Sequence, residues 1–293
     1  MSWEYADLFD AEQEPADPEG QLSFWQDEPC SLHVGQMGYR RRTTKAGPRL
    51  EAEIYPVFGR EERGRLREAR KNKTPEKQRR LNEQRAKHQL VLLIDTNFGK
   101  DDYHLTLTYA GAEPDLPRCR RDVRNFFGRV KRIRERRGMS ELKYIYAIGC
   151  DTDARIHVHV IISGGIEPKE LQQIWAKGRT RADLLQPNEY GLQGLANYLF
   201  KQNADKKASG RLPWKKTWVP SRNLKRPKVR KKGCDCSNAR VRRIAGDIQH
   251  DAKEIMEKLY PGYTFVECRV THSDIVDGVY IRCVMRKWEA MSG

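Results

Sequence analysis

A chain of 293 residues with 56 Lys and Arg against 40 Asp and Glu carries a net charge of +16, enough length for one sizeable core with appendages and enough charge to seek a polyanion, nucleic acid first. No run of about 18 apolar residues exists, and residues 1–30 are acidic where an export signal is basic, so neither a membrane span nor secretion is expected and the cytoplasm is the expected compartment. Seven cysteines scattered along such a chain make no disulfide framework, which leaves thiols as the expectation.

Residues 1–30 hold nine acidic side chains and no Lys or Arg, interleaved with Trp3, Tyr5, Phe9, Phe24 and Trp25 and with prolines at 15, 18 and 29. This composition reads as a disordered arm over residues 1–33, either a solvated tail or a mimic of single-stranded DNA that folds back on a basic surface. The charge reverses at Tyr39-Arg40-Arg41-Arg42, and residues 34–100 are expected to form a basic helical region. Thr74-Pro75-Glu76 combines an N-cap, a proline at N1 and an early acid, which predicts a helix through Leu81 and Leu90 to Leu93, stopped by Asn97 or Gly99.

Asp102 to Tyr109 alternates as a half-buried strand, with Tyr103, Leu105 and Leu107 on one face and His104, Thr106 and Thr108 on the other. After Asp115-Leu116-Pro117, the residues Val123, Phe126, Phe127, Val130 and Ile133 recur at helical spacing as a core stripe. Lys143 to Gly149 then reads as a strand that turns through Asp151-Thr152-Asp153-Ala154 into Arg155-Ile156-His157-Val158-His159-Val160-Ile161-Ile162. Side chains alternate across a strand, so His157 and His159 share one face while Val158 and Val160 enter a core on the other. Two imidazoles held in this way are either a chelating pair for a divalent ion or a solvated face of the sheet. Pairing of residues 150 and 156 across the turn puts the odd-numbered residues of the first arm on the histidine face and Cys150 on the opposite side.

Pro168 opens a short helix, Glu170 to Ala176, and Arg179 to Leu185 reads as a further strand. A helix follows from near Leu192 to before Ala204, on which Tyr198 and Lys201 are neighbours because residues three apart share a face. Tyr190 lies upstream in a Pro-Asn-Glu-Tyr-Gly turn signal. Residues 205–232 carry twelve basic side chains against one acid, with Trp214 and Trp218 among them. That mixture suits a single strand, whose phosphates need cations and whose bases need flat partners, or else a flexible basic linker. Cys234-Asp235-Cys236 has no matching second pair, so free thiols are expected there before zinc. Val241 to Leu259 reads as a helix, Tyr260-Pro261-Gly262-Tyr263 as a turn, and Thr264 to Thr271 and Val279 to Met285 as strands.

A strand-borne His157-Val158-His159 followed by a helical Tyr198-Leu199-Phe200-Lys201 resembles the single-tyrosine HUH endonucleases that initiate rolling-circle replication in bacteriophages, prophages and integrative elements. Leu105-Thr106-Leu107-Thr108 is similar to the first motif of those initiators. Ser221-Arg222-Asn223-Leu224-Lys225-Arg226-Pro227 resembles a Ser-Arg-x-Leu-Lys-x-Pro element found after their tyrosine. The resemblance implies Tyr198 as nucleophile, Lys201 as its electrostatic support, and Mg²⁺ or Mn²⁺ on His157 and His159. It also implies a 5′-phosphotyrosine with a free 3′-OH primer. Contacts to a single-stranded or locally melted origin are expected from His104, Thr106, Thr108, Lys215, Trp218, Arg222 and Lys225. Such proteins commonly take a third metal ligand about eight residues ahead of the first histidine, where this chain has Gly149; Asp151 is the candidate instead, with Asp153 behind it and His104 a further possibility. No Gly-x-x-x-x-Gly-Lys-Ser/Thr occurs, so unwinding and synthesis are expected from a bacterial host's helicase and polymerase.

The expected fold class is α+β: a central antiparallel β-sheet of the ferredoxin/RRM-like HUH type, with helices on one face and metal, tyrosine and DNA on the other, plus basic N- and C-terminal extensions. The expected divisions are the arm 1–33, the helical region 34–100, the catalytic domain 101–204, a DNA-contacting linker 205–240 and a C-terminal helix with a β-hairpin 241–293. The alternatives are a non-catalytic single-strand-binding protein on a related fold, and a related HUH transposase or relaxase. A nucleotide hydrolase with three alternating histidines is a poor match, because its third position is Ile161.

Overall fold

The structure is a computed structural model that describes residues 38–71, 74–111, 114–150, 155–208, 217–272 and 278–287. The acidic arm, Trp214 and Lys215, and Asp151 with Asp153 lie outside the described residues. The fold is α+β, with two antiparallel five-stranded sheets.

The chain begins with β1 (Tyr39–Ala46) and β2 (Arg49–Pro56), then α1 (Arg60–Lys71) and α2 (Pro75–Asn97). It continues through β3 (Tyr103–Leu107), α3 (Leu116–Arg136), β4 (Tyr144–Cys150), β5 (Ile156–Ile162), α4 (Pro168–Trp175), β6 (Thr180–Leu184), α5 (Gln193–Ala208) and β7 (Val219–Pro220). It closes with β8 (Lys228–Cys236), α6 (Asn238–Gly246), α7 (Asp251–Leu259), β9 (Thr264–His272) and β10 (Val279–Arg286). Among the described residues, Asn97–Asn188 and Leu192–Lys225 make a first unit; the residues before and after them, with Glu189–Gly191, make a second.

Residues 39–56 correct the expectation of a helical region over 34–100: they form the β1–β2 hairpin, closed by Gly47 at φ +55°. A side chain at Gly47 would meet the Asp95 carbonyl oxygen at 2.1 Å, so glycine is required on both counts. The arginine run masks a period of two, visible in Leu50, Ala52 and Ile54, which are buried with Val241, Ile244, Met256, Val279, Ile281 and Met285. The two terminal stretches are therefore one sheet, ordered β8-β1-β2-β10-β9, and residues 228–236 are its edge strand and not a linker. The single helix expected over 241–259 is two, because the Asp247 carboxylate takes the amides of Gln249 (3.0 Å) and His250 (2.8 Å) and turns the chain. Cys119, Cys236, Cys268 and Cys283 are free thiols.

The opposite face of β2 buries charge. Glu51, 1% exposed, accepts from Arg49 Nε at 2.7 Å and Arg282 NH2 at 3.0 Å and bonds His88 of α2 at 2.7 Å. Burial alone would raise its carboxyl, but the His88 hydrogen bond and the Arg282 and Arg49 charges outweigh that and hold it well below the usual carboxylate range. Removing one member of such a cluster leaves the others uncompensated, so Glu51→Gln is expected to cost about 3–5 kcal/mol in urea denaturation. A carboxyl held low in the folded state contributes its stability above the unfolded value, near 4.3, and loses it as pH falls toward the folded value. The gap between wild type and variant should therefore narrow as the denaturations are repeated from about pH 5 down to about pH 3.

In the first unit the sheet runs β6-β3-β5-β4-β7. One face carries Leu105, Leu107, Ile148, Val158, Val160 and Ile162, and on it pack Val123, Phe126, Phe127 and Val130 of α3 and Leu171, Ile174 and Trp175 of α4. Asp115 caps α3 by accepting from Arg118 N at 2.8 Å, and a proline in the first turn fits there because its amide has no helical partner to lose. Trp175 seals the far end, donating from Nε1 to the Thr108 carbonyl at 2.8 Å. The hairpin pairs Cys150 with Ile156, Gly149 with His157 and Ala147 with His159. This register aims the histidine pair at the face without α3 and α4, where α5 packs against β4.

Candidate active site

The site grows from neighbouring strands. Thr106 of β3 lies opposite His159 of β5, and His104 opposite Ile161, so His104 and Thr106 rise from the same face as His157 and His159. Helix α5 reaches this face because Leu195, Ala196, Leu199 and Phe200 are buried, which leaves Tyr198 turned toward the histidines. The Tyr198 ring stands edge-on to His159, with centroids 5.1 Å apart at 77°, and edge-on to His104 at 6.1 Å and 84°. His157 stands 4.8 Å from His159 at 81°. Four predicted residues on three elements thus meet.

The second nitrogen of each histidine has a partner. His157 Nδ1 lies 3.2 Å from the Arg155 carbonyl oxygen, which can only accept, so Nδ1 carries the proton and Nε2 keeps a lone pair. His159 Nδ1 lies 3.3 Å from Thr106 Oγ1, which fixes the ring against rotation. His104 stacks on His159 at 5.4 Å and 18°. Burial and the nearby Arg181 charge lower its imidazole to about 4, so it is neutral at pH 7.

Other expectations separate here. His104 is 3% exposed, which corrects its assignment to DNA contact; the side chain backs His159 instead. Thr106 positions the same histidine, and Thr108 donates its hydroxyl to the Arg179 carbonyl at 3.0 Å. Lys201 follows Tyr198 on α5, with its side chain outside the described residues. Residues 217–225 are docked: Val219 pairs with Tyr146 and Pro220 with Ile145, the Ser221 hydroxyl accepts from Tyr144 N at 3.1 Å, and Asn97 clamps the Lys225 backbone at 2.8 Å. Trp218 is half-buried, while Arg222 and Lys225 are exposed on this docked segment. Tyr190 belongs to the second unit, where Arg49 holds its carbonyl at 3.2 Å.

Arg181 went unmarked in the sequence. It lies opposite Thr106 on β6, on the histidine face, exposed and paired with Asp183 at 2.9 Å. A register for residues 179–185 would have exposed it, but nothing local sets which residue of β6 meets which of β3.

The donor set suits a divalent ion, since two imidazoles from one strand admit several first-row metals. Gly149 leaves room for one: a Cβ there would lie 2.5 Å from His157 Nε2. Among the described residues no group of three His, Cys, Asp or Glu side chains gathers as a ligand set, and the stacked rings of His104 and His159 are in packing geometry. Gly149→Ala is therefore expected to turn the His157 ring aside, weakening Mn²⁺ binding by calorimetry about tenfold while the melting temperature barely moves. Unchanged metal affinity would show that the ion does not use this nitrogen.

Residues 102–206 match a family of replication-associated proteins, the one described by its ORF2 member. That span runs from β3 through Tyr198 and contains every residue gathered above. No curated protein and no solved structure matches the chain.

Proposed function

We propose that this chain initiates rolling-circle replication by nicking and rejoining one DNA strand at an origin, with Tyr198 as the nucleophile. The observation that carries the reading is the Tyr198 ring at 5.1 Å from His159, inside the span that matches a replication-associated family. A tyrosine near pKa 10 is about one part in a thousand phenolate at pH 7, a deficit of about 4 kcal/mol that the site must offset. A divalent ion held by His157 and His159 would, when bound, polarise the scissile phosphate and make phosphorus more electrophilic.

The chain's own residues supply the rest. Thr106 and the Arg155 carbonyl set the two imidazoles, His104 backs His159 with an uncharged ring, and α5 holds the phenol beside them. Tyr198 Oη loses its proton and bonds to phosphorus as the phosphorus to O3′ bond breaks; the released O3′ takes a proton. The products are a 5′-phosphotyrosine and a 3′-OH able to prime synthesis. Attack by a 3′-OH on the phosphotyrosine restores the strand and the phenol, with no nucleotide consumed. Lys201, one turn beyond Tyr198, is assigned to stabilising the developing oxyanion, and Arg181 and Arg222 to phosphate contact.

The test mixes purified protein, Mn²⁺ and end-labelled single-stranded DNA from the element's own origin. A protein–DNA band that survives denaturation and disappears with EDTA is the expected result. Binding without such a band, at every metal tried, would favour the non-catalytic single-strand-binding alternative.

A further inference from the structure

The two strands at one edge of the second unit carry a charge pattern that folding alone disfavours. In the β1–β8 ladder Lys45 lies directly opposite Lys228, and Arg42 opposite Lys231. Like charges directly opposite destabilise a sheet. Glu53 compensates Arg42 at 2.5 Å on its face. On the other face, the β2 partners of Arg41, Thr43 and Lys45 are Ile54, Ala52 and Leu50, all apolar, and the β8 partners of Thr43 and Lys45 are Arg230 and Lys228. Lys45, Lys228 and Arg230 are all exposed. Lysines on an edge strand can simply discourage sheet-to-sheet pairing. That explanation covers β8 and not Lys45, which sits on an interior strand of the order β8-β1-β2.

Aromatic rings brace this face. Arg41 lies over Tyr260 and Lys45 over Tyr263, each 5.4 Å from the ring centre, and Thr43 bonds the Tyr260 hydroxyl at 2.7 Å. The rings are used to hold cations, so they are not offered as platforms for unstacked bases.

We infer that Lys45, Lys228 and Arg230, braced by Tyr260 and Tyr263, form a docking surface for the phosphate backbone of double-stranded DNA, separate from the site that handles the single strand. Polyanion binding would relieve the Lys45–Lys228 repulsion, and a row of cations without free rings matches a paired duplex, whose bases are already stacked. The inference does not depend on the nicking chemistry.

The test uses the full chain and two fluorescein-labelled probes, a blunt duplex of random sequence about two helical turns long and oligo-dT of equal length, read by anisotropy across a salt series. Lys45→Gln with Lys228→Gln and Arg230→Gln should weaken duplex binding at least about tenfold and lower the salt slope by between about two and three, because each duplex phosphate neutralised adds about 0.9. Lys45→Arg with Lys228→Arg should keep wild-type duplex affinity and slope, which shows that charge and not packing was removed. The Gln variant should still form the covalent adduct with single-stranded origin DNA, so a wild type that forms none speaks against nicking and leaves this surface standing. Wild-type duplex affinity in the Gln variant, or wild-type affinity with new aggregation, would overturn the surface in favour of edge protection. Equal losses on duplex and oligo-dT would overturn the choice of double-stranded DNA.

Discussion

Tyr198→Phe should abolish the denaturation-resistant protein–DNA band and lower strand cleavage by at least about a thousandfold, as expected when a covalent nucleophile is deleted. The substitution is a clean one. Phenylalanine keeps the ring that stands edge-on to His159 at 5.1 Å and His104 at 6.1 Å, so the packing of α5 on the sheet is retained and only Oη is lost. Losing one hydroxyl is expected to move stability by no more than about 1 kcal/mol, so the melting temperature should stay close to wild type. Affinity for single-stranded DNA, which rests on cations and aromatic rings, should persist and keep its salt dependence. Tyr190→Phe supplies the contrast: its chain segment belongs to the second unit, and its phenol is raised by burial and by the Glu189 and Glu267 charges, the opposite of activation. A band that survives Tyr198→Phe and vanishes with Tyr190→Phe would reverse the assignment of the nucleophile.

The second large effect is expected from the histidine pair, and the two members should differ in kind. His157 is half-exposed and oriented from its own strand, so His157→Ala should remove the adduct and most of the Mn²⁺ affinity, a loss of at least about a hundredfold, with little change in stability. His159 is 2% exposed, lies against Thr106, His104 and Tyr198, and fills the centre of the cluster. His159→Ala should therefore lose the adduct and also cost about 2–4 kcal/mol, because it empties a packed site. Calorimetric Mn²⁺ titration and urea denaturation of both variants separate the two roles. Equal stability losses with unchanged metal affinity would make both histidines structural and sink the metal-assisted reading.

The legible parts of this protein are those carried by short-range patterns. The alternation of His157-Val158-His159-Val160 specified a strand and its two faces, and the short turn between Cys150 and Ile156 specified the hairpin register that the ladder shows. Cap chemistry placed the starts of α2 at Thr74 and α3 at Asp115, where side-chain oxygens accept from Lys77 N and Arg118 N. The hairpin of residues 39–56 was hidden because charges occupy one face of β1 and buried ion pairs the other face of β2, so hydropathy alone did not alternate there.

Residue order along the chain was thus enough to determine the histidine strand, the tyrosine helix and the face that each presents, since a period of two or of 3.6 is a property of neighbouring residues. Only the tertiary structure decided that Thr106 and a buried His104 stand beside His159, that Arg181 shares their face, and that β2 pairs with β10 from the far end of the chain. Those pairings join segments whose separation no local pattern measures, and the burial of the whole sheet selects among the registers that each strand would accept by itself.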